Sequence, residues 1–413
     1  MTMERRTFLR RTFATSGLVA YGLSAPTFLA RTAQAAAFAD APGARDTILV
    51  VVQLTGGNDG LNTVVPFKDP EYAKLRPTLK LPVAGIKKLD DQVGLHPAMT
   101  GLAGLLQDQA LCVVQGVGYP NPSQSHFRSM DIWQAASLNE TLSEGWIGKA
   151  LKGMPARPAF HVAANNEGAP LALAGAPVRV PSINTLEDFQ LRTTAASGMD
   201  RQAQRSLIEG VARMSNEQPG LLDFVKRTAV NTYDSSKRLQ EIGKNYQPKF
   251  PYPQTGLATR LKLAAQLIDA GIGARIFYVS IDGFDTHASQ LESHANLLRE
   301  VSDAMTAFYK DMVARGHKDR VLMMTFSEFG RRARENGSKG TDHGSAAPVL
   351  LVGGRVKAGV VGAHPSLSKL EMGNLQHHTD FRQVYAAILD GWLGVSSKEV
   401  LGESFKAVGV LKS

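Results

Sequence analysis

The chain has 413 residues, of which 43% are hydrophobic and 20% charged, with a formal net charge of +9. That length and apolar content support one large α/β domain or two ordinary ones, and the lysines and arginines are spread without blocks or interleaved aromatics, which argues against nucleic acid as a partner. The single cysteine, Cys112 within the apolar run Leu111–Val114, excludes a disulfide within the chain and reads as a small core residue.

The N-terminus carries Arg5, Arg6, Thr7, Phe8 and Leu9, which resembles the twin-arginine export consensus in order and spacing. Behind it Phe13 to Ala30 is modestly apolar, broken by Gly17, Gly22 and Pro26, and Ala33, Ala35 and Ala36 follow. These are the h-region and A-x-A cleavage site of a signal peptide. Residues 1–35 are therefore expected to be removed, and 36–413 to form a single domain passed by the twin-arginine translocase to the periplasm or the cell exterior. A spanning helix needs roughly 20 strongly apolar residues. No later segment has them, so no stable membrane insertion is expected after cleavage. The signal's five arginines and one glutamate supply four of the nine net charges, leaving a mildly basic chain suited to anionic substrates.

Asp46 to Leu54 is a β-branched run of the kind found in strands covered on both faces, and it ends in the turn-forming stretch Thr55 to Asn62. Ala98 to Gln109 reads as a helix and Ala110 to Val117 as a second buried strand. After a proline-bearing loop, Ser125 stands as N-cap to a helix reaching Ala136. From about residue 198 to 250 the sequence is polar and helix-favouring without strand signals, which predicts a helical insertion. Leu257 to Ala270 predicts an amphipathic helix, and Arg275 to Ile281 a strand. A long helix follows, with Leu291, Leu298, Met305 and Met312 on one seam. Arg320 to Phe326 and Pro348 to Val352 predict further strands, and Asp380 to Trp392 a closing helix. The repeated strand–loop–helix order predicts an α/β fold, a mostly parallel central sheet with helices on both faces.

In such sheets ligands sit beyond the carboxyl ends of the strands. Asp59, Ser125 with His126, Asp282 with Asp285 and His287, Glu328, and His343 all fall in loops next to predicted strands. Imidazole and carboxylate together suit a divalent metal such as zinc, and two metals roughly 4 Å apart can clamp both oxygens of a displacement. Ser125, at a helix N-terminus beside such a cation, is placed to act as nucleophile, with Ser123 as competitor and Arg331 as a candidate oxyanion partner. Each residue also has an ordinary structural alternative: Ser125 caps its helix, Asp59 closes a glycine turn, Asp285 to His287 cap the long helix, Glu328 pairs with Arg331, and His343 is a loop histidine.

The pieces GGNDGLNTVVP from Gly56, SHFRSMDIWQ from Ser125, DGFDTHASQ from Asp282, FSEFGRR from Phe326, TDHGSAAPVLLVGG from Thr341 and DFRQVYAAILDGWLG from Asp380 resemble the secreted bacterial family catalogued as domain of unknown function 1501. That family is similar in turn to the alkaline phosphatase superfamily. The resemblance implies an alkaline-phosphatase-like fold, Asp59 as an early metal carboxylate, Ser125 near the nucleophile position, Asp282 or Asp285 with His287 and His343 at a metal centre, and Glu328 where an Asp-His pair usually stands. Because Glu328 brings no histidine with it, a second metal would need His126. Two functions follow: a metal-dependent hydrolase or transferase of phosphate or sulfate esters, or a non-catalytic secreted protein that keeps the fold and engages a cell-envelope partner.

Overall fold

The computed structural model describes residues 47–412 except 140, 155–158, 166, 178–179 and 187–244. The expected signal peptide and nearly all of the insertion expected at about 198–250 lie outside the described residues. The chain divides into two units. One comprises Met1–Gly43, Thr185–Tyr246 and Gln266–Gly273, and few of its residues are described. The other, Ala44–Asn184, Gln247–Ala265 and Ala274–Ser413, holds the central sheet and every candidate residue.

The strands are β1 (Ile48–Leu54), β2 (Val64–Val65), β3 (Lys87–Lys88), β4 (Gly94–Leu95), β5 (Leu111–Gly118), β6 (Ala159–Val162), β7 (Ser182–Ile183), β8 (Ile276–Ile281), β9 (Val321–Phe326), β10 (Ala347–Gly353), β11 (Gly359–Val361), β12 (Leu370–Glu371), β13 (Asn374–Leu375) and β14 (Thr379–Asp380). The helices are α1 (Gly60–Thr63), α2 (Pro70–Leu75), α3 (Thr100–Gln107), α4 (His126–Ala135), α5 (Trp146–Lys152), α6 (Gly256–Asp269), α7 (Gln290–Ala314), α8 (Phe381–Ile388) and α9 (Ser397–Leu401). The central sheet runs β11-β5-β10-β9-β1-β8-β6-β7, with β14 also beside β5. β2, β3 and β4 form a small separate sheet, and β12 and β13 a hairpin.

The sheet is mostly parallel, as expected, with one reversal. β1 pairs in parallel with β8 and β9, whereas β10 is antiparallel to both β9 and β5. Between Phe326 and Ala347 the chain makes no helix, and without a helical crossover a neighbouring strand returns antiparallel. This reversal decides where His343 lies. Ahead of a parallel strand it would sit at the amino edge; ahead of antiparallel β10 it joins the carboxyl ends of β1, β5, β8 and β9.

Strand β1 is buried along its whole length, consistent with cover on both faces. Leu49, Val51, Cys112, Val114, Tyr278, Met324 and Leu351 share one cluster with Trp133, Trp146 and Tyr385 from α4, α5 and α8. Long α7 packs on α3 and on β9 and β10. Trp133 stacks between Phe326 and Phe381, with centroids at 5.5 and 4.5 Å, each pair contributing about 0.5–1.5 kcal/mol beyond area burial. This packing fixes α4, whose first turn carries His126, against the end of β9. Among the described residues no helix is long and apolar enough to cross a membrane.

Candidate metal centre

Four loops at the carboxyl edge build the site. The first follows β1, where Gly56 and Gly57 adopt φ of 119° and 77°, a region costly for side-chain-bearing residues. A Cβ on Gly56 would collide with the backbone of Phe284 and Asp285, so glycine is what lets this loop lie against the Asp285 loop. The segments after β9 and before β10 pair through their backbones: Gly330 N–H donates to Ser345 O (2.9 Å), Gly344 N–H to Gly330 O (2.8 Å) and Arg332 N–H to Asp342 O (3.0 Å). That ladder brings His343 beside Arg331. The loop after β5 is tied down by the Tyr119 hydroxyl, which meets Ser129 Oγ (2.7 Å) and accepts from Ser123 N–H (3.0 Å).

One nitrogen each from His126 and His343 and an oxygen of Asp285 lie within 4.8 Å of one another. His287 adjoins them, its Nε2 2.9 Å from His343 Nε2 and 3.0 Å from Asp285 Oδ1. The partners of the opposite ring nitrogens assign the tautomers. His343 Nδ1 lies 2.8 Å from the Gln124 carbonyl, which can only accept, so Nδ1 carries the proton. His126 Nδ1 donates to Glu328 Oε1 at 2.8 Å, and His287 Nδ1 faces Asp342 Oδ1 at 3.4 Å. The Nε2 atoms of His126 and His343 are thereby turned toward the Asp285 carboxylate, with His287 Nε2 beside them. The Arg331 guanidinium supplies positive charge to two of these four groups, donating to Asp285 Oδ1 (2.6 Å) and reaching His287 Nε2 (3.5 Å). His126 Nε2 is buried and has no hydrogen-bond partner, 3.5 Å from Asp285 Oδ2. These donors fit a divalent cation: imidazole and carboxylate suit zinc and its neighbours, and a histidine whose far nitrogen donates to a carboxylate or carbonyl is the usual way a metal ligand is oriented.

The charges agree. Burial opposes ionisation of Asp285, but hydrogen bonding and charge from Arg331, helped by His343 and His287, hold its carboxyl below the usual range. Burial keeps the His343 imidazole below its ordinary value, against the hydrogen bonds to Gln124 and Asp285 that work to raise it.

Other expected residues take different roles. Asp59 is fully buried, and its carboxylate is held by Arg76 in two contacts of 2.6 and 3.0 Å, by the Leu61 N–H at 3.2 Å and by Gln290 Nε2. It caps α1 and is spent on a buried ion pair, which corrects its expected place as a ligand. Glu328, also fully buried, accepts from Gly56 N–H (2.9 Å) and His126 rather than pairing with Arg331, so it orients His126 and does not join the converging set. Asp282 is exposed and does not belong to the converging set. Arg331 is not an open oxyanion partner. Its buried guanidinium donates to the carbonyls of Gly57 (2.6 Å), Thr341 (2.8 Å), Phe284 (3.0 Å) and Gly56, and to Asp285 Oδ1 (2.6 Å). It clamps the loops and holds Asp285. Ser125 occupies the N-cap position of α4 without making a side-chain cap bond, and it is exposed next to His126.

Sequence reasoning passed over the layer beneath. Fully buried Gln290 donates to Asp59, and its Oε1 accepts from Thr286 Oγ (3.0 Å) and Thr341 Oγ (2.6 Å). One amide thus joins the loops bearing His287 and His343. Asn58 Oδ1 accepts from His294 Nε2 (2.9 Å) and Thr63 Oγ (3.0 Å), and burial drives the His294 imidazole down to about 4. Gln290 opens the long predicted helix, where a polar residue ordinarily reads as solvated. Nothing local marks it as buried.

Residues 46–401 match the family described as protein of unknown function (DUF1501), and no curated protein matches the sequence. Among solved structures, a sulfatase from Pseudoalteromonas sp. is similar at 11% identity, with 92% of this chain and 76% of that one covered and a TM-score of 0.35. The lipoteichoic acid synthase LtaP from Listeria monocytogenes is similar at 9% identity, covering 76% and 68%, with a TM-score of 0.31. Alkaline phosphatase from the Antarctic bacterium TAB5 is similar at 13% identity, covering 73% and 91%, with a TM-score of 0.30.

Proposed function

The chain belongs to the DUF1501 family, and from that premise we propose that it is an exported hydrolase or transferase of phosphate or sulfate esters, working with one divalent cation held by His126, Asp285 and His343 beside His287. The observation that carries this reading is the convergence of one nitrogen each from His126 and His343 and an oxygen of Asp285 within 4.8 Å, with His126 held by Glu328 and His343 by the Gln124 carbonyl. The ester class rests on the motif resemblance to the alkaline phosphatase superfamily, and export on the twin-arginine start.

A bound cation would supply Lewis-acid polarisation of an ester oxygen and neutralise its charge. The chain's own residues do the rest. The first N–H groups of α4, left without a side-chain cap, offer hydrogen bonds to an incoming anion. Ser125, exposed at that same terminus, is the nucleophile of this proposal. Arg331 fixes the Asp285 carboxylate in its ionised form, and Glu328 keeps His126 in the tautomer that presents a lone pair.

Metal analysis of protein purified from the periplasm, coupled to hydrolysis of aryl phosphate and aryl sulfate esters, tests the reading. Stoichiometric metal, with turnover abolished in Ser125→Ala, is the expected result. Protein carrying neither metal nor turnover would overturn it in favour of a secreted binding protein.

A further inference from the structure

Two buried hydroxyls stand between the acceptors that orient His126 and His343. Ser129, in the opening turn of α4, is fully buried, and so is Tyr119, which follows β5. The Tyr119 ring belongs to the core cluster that holds Trp133, Phe326 and Phe381, and it meets Phe381 edge-on at 6.0 Å. Phenylalanine would fill that place without the cost of desolvating a hydroxyl, so the bonds of the hydroxyl, more than the packing of the ring, distinguish tyrosine here.

Those bonds run in one direction. Ser129 Oγ lies 2.5 Å from the Glu328 carbonyl, which can only accept, so the single Ser129 hydroxyl proton goes there. The contact of 2.7 Å between Tyr119 and Ser129 is therefore filled by the phenol proton, and the phenol oxygen accepts in turn from Ser123 N–H at 3.0 Å. Burial raises the Tyr119 phenol pKa, against the hydrogen bonds with Ser129 and Ser123, so this proton stays in place at neutral pH. The two ends of the chain reach the two histidines. Glu328 accepts from His126 Nδ1 at 2.8 Å, and Gln124, next to Ser123, accepts from His343 Nδ1 at 2.8 Å through its carbonyl. Ser123 is also joined to the start of α4, because its Oγ accepts from Ser125 N–H at 3.2 Å. Two hydroxyls thus link the loop after β5, the opening turn of α4 and the residue that follows β9, and each histidine is held beside one end of the link.

We propose that Tyr119 and Ser129 are positioning residues of the metal centre: their hydroxyls tie the Glu328 and Gln124 acceptors together, so that His126 and His343 present Nε2 to one cation before it binds. This rests on the cation reading above and is independent of the ester class.

Zinc affinity of the full chain, measured by competition with a chromophoric chelator, tests the pair in Tyr119→Phe, Ser129→Ala and the double variant. Tyr119→Phe keeps the ring that packs on Phe381 and removes one oxygen, so it carries the test alone should Ser129→Ala unfold. Each single variant is expected to weaken zinc binding about tenfold. The double variant should lose no more than about tenfold in all, because hydroxyls acting as one chain are not additive. In the zinc-free chain labelled with ¹⁵N-histidine, the unaltered protein should hold His126 and His343 in the Nδ1–H tautomer, and either single variant should admit the Nε2–H form at both, with His126→Gln and His343→Gln assigning the signals. Zinc affinity within about twofold of the unaltered chain in both single variants, whatever their melting temperatures, would confine the hydroxyls to core stability and overturn the proposal. A double variant weakened about a hundredfold, the product of independent effects, or tautomers unmoved by either change, would overturn it as well. In each of these cases the cation reading stands. An unaltered chain that binds no zinc would refute the cation reading itself, and the positioning role with it.

Discussion

Replacing Gln290 with leucine tests whether the layer under the metal centre positions its ligands or only fills space. The amide is fully buried and has three partners, Asp59, Thr286 and Thr341. Arg76 still satisfies Asp59 after the change, so the penalty falls mainly on two buried threonine hydroxyls deprived of their acceptor. At about 1–3 kcal/mol for each stranded group, offset by the apolar contacts of leucine, the net loss is about 2–4 kcal/mol. It should appear as a lower urea midpoint at unchanged slope. The loops bearing His287 and His343 also lose their shared anchor, and zinc affinity measured under folding conditions should fall about 10–100-fold, the usual consequence of removing an outer partner of a metal ligand. Thr341→Ser, which keeps the hydroxyl, should retain most of both properties. A Gln290→Leu protein that is destabilised yet binds zinc within about twofold of the unaltered chain would refute the positioning role.

Acid should destabilise the protein through Asp59. Burial works to raise its pKa, but the charge and hydrogen bonds of Arg76, with His294 and Gln290, outweigh it and hold the carboxyl at about 2 against an ordinary 3.8. A carboxylate depressed in the fold stabilises above its unfolded pKa and loses that contribution as pH falls from about 4 to 2, here about 2.5 kcal/mol. Urea unfolding across that range should show this slope in the unaltered chain and not in Asp59→Asn; equal slopes would contradict the assignment. His126→Ala should abolish stoichiometric zinc binding, measured by metal analysis after dialysis, because it removes the inward nitrogen that has no other partner. Gly56→Ala, at φ 119° and against the Asp285 backbone, should lower the melting temperature and release the metal together. Retention of both would mean that the glycine approach does not position Asp285.

The site was only partly legible in the sequence. Asp285, His287 and His343 stood out because carboxylate and imidazole in loops beside strands are rare unless a cation or a charge partner is present, and His126 entered as a residue that could complete a ligand set. Asp59 and Glu328 carried the same local signal, yet the fold uses them differently. Each is buried against a donor distant in sequence, Arg76 for one and the Gly56 N–H with His126 for the other. A carboxylate looks the same in sequence whether its partner will be a metal, a guanidinium or an amide. Arg331 likewise announced a cation, while its guanidinium is consumed by four loop carbonyls, Asp285 and His287 Nε2.

From the sequence by itself came the strands β1, β5, β8, β9 and β10, helices α4 and α7, the sheet class and the loops that carry chemistry, because hydrophobic period, turn residues and caps act over a few neighbouring positions. Tertiary structure decided the reversal of β10 that places His343 at the same edge as His126 and Asp285, and the burial that turned Asp59, Glu328 and Gln290 into supports. Both depend on which strand lies beside which. That choice is made by packing across hundreds of residues, and no local window of the chain records it.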